Sequence, residues 1–327
     1  MATIGLKDQS GEKINLEKTG VKGLQHKYGP TALMLISDIC ASFCRFCFRR
    51  RFVGKDSEKV NELDGAVEYI KKHPEIKNIL LSGGDSFMLD NHEIEKILDR
   101  LFAIPHINVI RFGSKMPVYL PSRFSDPELM RILKRYNKKG KKIYVVSHID
   151  HPRELDQKSI MAHKKLIKLG ISILSQTVFI RGVNDDEEVL INLFEKITEV
   201  GIRPYYIFQC RPVKGAMHFY IPISEGYRII EKAKEKLSGI AKTFRYIMSH
   251  VSGKIEIIYV TSDDKKTAVF KYHQSRDPAY LGEIMMIKYN EPVKWLDDIF
   301  SQEHEIMYGE NIVKYAKEQI EGLENKN

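Results

Sequence analysis

Three of the four cysteines in this 327-residue chain, Cys40, Cys44 and Cys47, share one short segment with the spacing Cys-x3-Cys-x2-Cys. Soft thiolates this close together suit zinc or an iron–sulfur cluster. Structural zinc takes four ligands, and nothing local marks the remaining cysteine, Cys210, as a fourth. Three thiolates on a four-iron cluster would instead leave one iron open to a substrate or cofactor. Arg45, Arg49, Arg50 and Arg51 are interleaved with or follow the cysteines, so the segment is not a run of buried apolar thiols. Further along, Leu81-Ser82-Gly83-Gly84-Asp85 sets two glycines before a carboxylate, a pattern that by itself reads only as a turn.

The surrounding elements explain how these groups could meet. Short β-branched runs at Thr31–Ile36, Asn78–Leu81, Ile107–Phe112, Lys142–Ser147, Ile171–Phe179 and Arg203–Phe208 alternate with amphipathic helical patterns. Nearly continuous apolar runs of this length suit strands covered on both faces. Asp90 with Glu93 and Asp185 with Glu188 form capping boxes, Gly170 and Gly201 stand where helices should end, and Pro74 closes a helix opening near Ser57. Strand–helix alternation implies parallel βαβ units with right-handed crossovers, closing into a barrel or a doubly wound sheet. The cysteine segment and the Gly-Gly-Asp turn then follow the first and second strands, at the strand ends where a barrel carries its ligand-binding loops. Past residue 240 the pattern becomes strand-like at Phe244–Ser249, Ile255–Thr261 and Ala268–Lys271, with a last helix expected over Glu305–Ile320 and a fraying tail from Glu321.

Composition is that of a globular chain: 43% apolar and 29% charged residues exclude a disordered or collagen-like protein. No apolar run is long enough to span a membrane, and Met1 to Lys13 lacks a secretory signal, so a cytoplasmic protein with reduced thiols is expected. The net charge of +9 favours anionic partners in general, but a lysine-rich solvated surface is the preferred account of it.

Taken together, the cysteine segment after the first strand and the Gly-Gly-Asp turn after the second resemble the signature of the radical S-adenosylmethionine enzymes, with Phe46 at the position that packs near the adenine. The resemblance implies that Cys40, Cys44 and Cys47 hold a 4Fe-4S cluster whose open iron binds S-adenosylmethionine. It also implies that Ser82, Gly83, Gly84 and Asp85 lie along that cofactor, with bare backbone approaching its amino group. The match continues through His26-Lys27-Tyr28, Cys44 to Phe52, Ile104-Pro105-His106, Arg111 with Gly113-Ser114, His148 to Pro152, Arg181 to Asp185, Arg203 to Tyr206 and His218-Phe219 followed by Pro222. Over residues 26–240 this is similar to the lysine 2,3-aminomutase group, including its relatives that act on glutamate and on a lysine of a translation factor.

That resemblance implies an α/β fold, a partial (β/α)6 barrel over 26–240 with a short N-terminal extension (1–25) and a β-rich C-terminal cap plus helix (241–327). It implies an isomerase that uses pyridoxal phosphate, a small amino-acid substrate and a one-electron reductant such as flavodoxin or ferredoxin, with neither a membrane nor nucleic acid as partner. Arg49 stands at the position that clamps the substrate α-carboxylate, and a guanidinium fork suits it. Lys27 and Arg181 stand at phosphate-binding positions, and Lys254 is the candidate for the lysine joined to pyridoxal phosphate. The departures are informative. Another phosphate-binding arginine falls at Thr31. The segment His250 to Glu256 is shorter than the group's glycine-rich lysine segment and also reads as a hairpin. Cys210-Arg211 replaces the cysteine–aspartate pair of lysine-acting members, so Arg211 should repel an ammonium and favour an anionic side chain. The group's N-terminal helical extension and C-terminal zinc cysteines are missing, so its oligomeric state need not carry over. Two other functions remain open: radical chemistry without pyridoxal phosphate on a peptide, RNA or small molecule, and a non-enzymatic iron–sulfur or zinc protein.

Overall fold

Each of the six expected βα strands forms within two residues of its predicted start. We describe residues 19–50, 53–54, 59–60, 62–261, 266–290 and 292–324 of the computed structural model. Most of the N-terminal extension, Arg51, Phe52 and Ser57 lie outside the described residues. The strands are β2 (Thr31–Ser37), β3 (Asn78–Gly83), β4 (Val109–Ser114), β5 (Lys142–His148), β6 (Ser172–Phe179) and β7 (Arg203–Gln209), each parallel to the next. The crossovers contain helices α1 (Leu63–Lys71), α2 (Asn91–Phe102), α3 (Pro127–Tyr136), α4 (Gln157–Lys168) and α5 (Glu187–Val200), and α6 (Ile223–Lys236) follows β7. A short antiparallel strand, β1 (Leu24–Tyr28), precedes β2 and pairs with it.

Alternation along the strands decides which face does what. Ile79, Leu81, Ile110, Phe112 and Ile173 are buried in one core with helix residues such as Ile94, Leu98, Leu129, Leu133 and Leu166. Their neighbours Leu80, Ser82, Arg111, Gly113, Leu174 and Gln176 point to the other face, as the period of two requires, and are only partly covered. The helices therefore pack one face, and the chemistry-bearing side chains line the other.

The helix ends hold, but α1 opens at Leu63 rather than near Ser57, since the Val60 N–H is bonded to the Leu35 carbonyl, and one cap shifts by a residue. Asp90 accepts from the backbone N–H of Glu93 at 2.8 Å, and Gly201 ends α5 in the left-handed conformation at φ 89°. The cap of α5 is Asp186, one residue later than expected, because Asp185 instead accepts from the Gly182 N–H at 2.7 Å in the preceding loop. Strand β4 begins at Val109 rather than Ile107 because the Ile107 N–H closes a turn onto the Ile104 carbonyl.

Beyond residue 240 the sheet continues without a break. Strand β8 (Arg245–Ser249) pairs parallel with β7 as a further barrel strand. It is followed by the antiparallel β9 (Gly253–Val260), β10 (Lys266–Ser275), β11 (Ile284–Tyr289) and β12 (His304–Tyr308). The last helix, α7, spans Glu310–Glu324. Glu305 to Tyr308, assigned to that helix from the sequence, belongs instead to β12, with Gly309 at φ 82° turning the chain between them.

The sheet runs β1 to β12 in order and stays open, but it curls strongly. At the usual strand spacing β1 and β8 would lie about 34 Å apart in a flat sheet. Lys27 of β1 nevertheless donates to the carbonyl of His250, just past β8, at 2.6 Å.

Candidate active site

The cysteine loop leaves β2 at Ser37 and folds back over the end of β3. The N–H groups of Gly84 and Asp85 donate to the carbonyls of Ser37 and Ile39 at 2.7 and 2.8 Å. A Cβ on Gly83 would stand 2.0 Å from the Ser37 carbonyl oxygen, and one on Gly84 2.1 Å from that of Ile39. The glycines are thus required for the β3 turn to seat the cysteine loop, a reason different from the ligand approach expected. Asp85 is buried and accepts from Phe87 N–H, Ser114 Oγ and Lys115 N–H at 3.0, 2.7 and 2.7 Å. It clasps the ends of β3 and β4 together. Within the loop, Cys40 Sγ donates to the Ser42 carbonyl, and Ser42 Oγ lies 3.4 Å from Cys44 Sγ. Burial raises all three thiol pKa values, that of Cys47 to about 11. Buried Cys210 is raised to about 12.

A buried ionic network stands beside this loop. Lys115 Nζ lies 2.5 Å from Asp150 Oδ2 and 2.9 Å from Glu154 Oε1, and His148 Nε2 contacts Asp150 Oδ1 at 2.9 Å. Burial pushes the Asp150 carboxyl up, but His148 and Lys115 outweigh it and hold it below its ordinary range. Lys115 is likewise raised, since Asp150 and Glu154 overcome its desolvation. The ring of Phe46 packs here, 5.7 Å from His148 and 6.2 Å from Phe219, with Lys115 Nζ 5.9 Å from its centroid. Lys115, Asp150 and Glu154 were not singled out from the sequence. Their signal was position alone, a lysine just past β4 and two carboxylates just past β5.

The third group surrounds Lys254. This lysine lies on β9 opposite Ser249 of β8, so the hairpin expected from the sequence forms with Lys254 at its start. Its amine is 5.1 Å from the ring centroid of Tyr206 and 5.8 Å from that of Tyr28. Burial first, then the nearby Arg111 and Arg211 charges, lower its pKa to about 7. Arg211 turns inward: its guanidinium carbon stands 4.0 Å from the Phe48 ring centroid and Nη2 donates to Ser249 Oγ at 2.5 Å. Arg49 approaches the same ring at 4.8 Å and donates to Ser82 Oγ at 2.7 Å. Phe48 therefore links two guanidiniums. Arg111 Nε is buried without a hydrogen-bond partner among the described residues.

Lys27 reaches this region through His250, whereas Arg181 does not join it. The Arg181 guanidinium pairs with Glu225 at 2.7 Å and donates to the Tyr220 carbonyl. Arg276, which no sequence pattern marked, is close enough to Tyr28 to interact electrostatically with it, and its N–H donates to the Ser252 carbonyl at 3.2 Å. Tyr28 in turn pairs with Thr31 in the β1–β2 hairpin.

Known proteins resemble this chain. The Radical SAM superfamily pattern matches residues 34–194, which hold the cysteine loop, the β3 turn and the Lys115 network. A "Putative L-lysine 2,3-aminomutase" of Aquifex aeolicus (strain VF5) is 42% identical over 281 residues, covering 85% of this chain and 74% of that protein. The chain belongs to the lysine 2,3-aminomutase family of radical SAM enzymes. The L-lysine 2,3-aminomutase of Fusobacterium nucleatum is 38% identical over 78% of this chain, which spans only 60% of that longer protein. Among solved structures, Streptococcus suis SuiB superposes with a TM-score of 0.50 at 14% identity, over 72% of this chain and 52% of its own, which shows the shared fold.

As a radical SAM family member, the protein is an aminomutase-like enzyme of the isomerase class, and the family implies a 4Fe-4S cluster and S-adenosylmethionine. The residues fit the cluster. A single tetrahedral ion with metal–sulfur bonds of about 2.3 Å would need its thiols drawn together. Among the described residues, Cys40, Cys44 and Cys47 are not gathered within 4.8 Å of one another. A cluster, on which each thiolate takes its own iron, accommodates that spread. Pyridoxal phosphate also fits the residues present, since Lys254 supplies a buried amine of lowered pKa with cationic side chains around it. No helix among the described residues is long and apolar enough to cross a membrane.

Proposed function

We infer that the chain is a pyridoxal-phosphate-dependent 2,3-aminomutase acting on an amino acid with an anionic side chain, supplied with electrons by a flavodoxin- or ferredoxin-class reductant. The observation that carries this reading is the inward Arg211, set on Phe48 beside Arg49 and close enough to depress Lys254. When bound, the cluster with S-adenosylmethionine supplies a hydrogen-abstracting carbon radical, and pyridoxal phosphate supplies the conjugated system over which an amino group can move.

The chain's own residues do the rest. Cys40, Cys44 and Cys47 would hold the cluster on the loop seated by Ser82 to Asp85, and Phe46 would offer its ring to the adenine. Lys254, whose pKa burial and the neighbouring arginines lower to about 7 so that a large share of the amine is neutral near pH 7, is the amine that attacks a carbonyl. Lys27 and Arg276 present positive charge to the phosphate. Arg49 binds the α-carboxylate through a planar fork and is oriented by Ser82. Arg211 receives the side-chain carboxylate, and in a pocket that excludes water a lysine ammonium facing it would cost several kcal/mol.

The test incubates reconstituted enzyme with deuterated glutamate, lysine and neutral amino acids and follows deuterium into 5′-deoxyadenosine. Glutamate or another acidic amino acid should exceed lysine by roughly a hundredfold, and Arg211→Asp should narrow or reverse the ranking. Lysine preferred by the parent enzyme would defeat the anionic-substrate reading. A second reading, radical chemistry without pyridoxal phosphate, draws support from Arg181, whose guanidinium is taken by Glu225. Borohydride treatment of the cofactor-loaded protein decides between the two: a tag on the Lys254 peptide supports the first, and no tag supports the second.

A further inference from the structure

Outside the site described so far, one cluster of side chains has the chemistry of a metal-binding site. His26 on β1, His73 just beyond α1 and Glu75 bring one potential ligand atom each to within 4.8 Å of one another. The two imidazoles are held by aromatic contacts. His73 stacks on Tyr69 with centroids 3.9 Å apart, and His26 meets Tyr69 and His73 edge-on at 5.9 and 5.5 Å.

The hydrogen bonds assign the tautomers. His73 Nδ1 lies 2.7 Å from the Tyr69 carbonyl oxygen. A carbonyl only accepts, so Nδ1 carries the proton and Nε2 keeps its lone pair. His26 Nε2 lies 2.9 Å from the Gly29 carbonyl oxygen, so by the same argument its lone pair is on Nδ1. Tyr69 Oη, 3.2 Å away, donates to that nitrogen, and the hydroxyl must turn aside for this lone pair to reach a metal. Each ring thus gives its remote N–H to a backbone carbonyl, which is how metal-binding histidines are oriented in protein sites. The exposed Glu75 adds a carboxylate oxygen.

We propose that His26, His73 and Glu75 form a site for zinc or a similar first-row divalent ion, fastening β1 to the end of α1. Two imidazoles and a carboxylate suit such an ion better than magnesium or calcium, which prefer all-oxygen shells, and three protein ligands leave a position for water. The site is separate from the cysteine loop and independent of the substrate reading. Its structural consequence falls on the next residue, because Lys27 follows His26 and holds the His250 carbonyl. A metal here steadies the strand that closes the curled sheet.

The experiment uses anaerobically reconstituted holoenzyme equilibrated with zinc against a chromophoric competitor, then desalted for metal analysis. One zinc per chain beyond the cluster iron is expected. His73→Ala and Glu75→Gln should each weaken it at least about tenfold with iron content unchanged, and Cys40→Ala should leave zinc uptake intact. Glu75 is exposed, so Glu75→Gln keeps the test decisive if His73→Ala disturbs the packing around Tyr69. A parent enzyme that takes up no zinc, a Glu75→Gln variant that binds it as tightly as the parent, or loss of the zinc with Cys40→Ala would each overturn the proposal.

Discussion

Lys254 and Lys115 are both buried lysines, and their surroundings drive them in opposite directions. Lys115 has two carboxylates within hydrogen-bonding reach and stays charged. Lys254 has guanidiniums for neighbours and an amine that titrates at about 7. In an unfolded chain a lysine titrates at about 10.4. Below pH 7 both states of Lys254 hold the proton and the cost of burying the charge is paid in full. Between about 7 and 10.4 the unfolded chain binds a proton the fold lacks, so stability rises by about 1.4 kcal/mol per pH unit. Lys254→Met cannot titrate. Relative to the parent apoprotein it should be most stabilised near pH 6, with the advantage shrinking steadily toward pH 9. Urea midpoints across that range check this, and a constant gap would mean the amine stays charged throughout. Lys115→Met should act in the other direction, costing about 3–5 kcal/mol by leaving Asp150 buried beside a lost partner, as the same denaturation measurement would read.

The turn after β3 and the loop after β2 act as one unit, because two backbone hydrogen bonds and two glycines join them. A side chain at either glycine meets backbone oxygen, which cannot swing aside as a flexible side chain would. Gly84→Val should therefore displace the cysteine loop, and the variant should hold less than half the parent's iron after reconstitution. Iron and sulfide analysis checks this. A variant that keeps its iron and loses only S-adenosylmethionine affinity would return the glycines to the simpler role of giving the ligand room. At its other end the loop is tied down by Arg50, whose Nη1 donates to the carbonyls of Arg45 and Gly215 at 3.0 and 3.3 Å. The loop after β7 that carries Arg211 and Gly215 is thereby held against the cysteine loop.

Because the sheet is continuous from β1 to β12, the strands before and after residue 240 share hydrogen bonds as well as a core. Met248, Ile255, Phe270 and Trp295 are buried in the same core as the helix-facing residues. The expected division at 240/241 thus runs alongside an unbroken ladder, since β8 pairs with β7 on one edge and β9 on the other. Trp295, the chain's single tryptophan, reports the C-terminal part, whereas far-UV circular dichroism is dominated by the barrel helices. The two probes should give coincident urea transitions if the molecule unfolds as one unit. A fluorescence transition at clearly lower urea would show that residues 241–327 open separately.

Local sequence was enough to reveal the strand–helix alternation, most helix ends and the grouped cysteines as candidate ligands, because periodicity, caps and thiol spacing are short-range properties. Family resemblance added Arg49, the glycine turn and Lys254 as candidates. It did not show that Lys254 and Arg211 share a pocket, or that Asp85 and the glycines act on the chain itself. Those facts depend on curling, which brings Lys27 against His250 across more than 220 residues of sequence. Arg276 and the His26–His73–Glu75 cluster had no local signature for the same reason. The direction in which Arg211 points was likewise decided only when Phe48 and Ser249 met it in three dimensions. Sequence spacing specifies the elements, but the free energy of a buried charge depends on what stands within a few ångströms of it, and only the tertiary fold determines that.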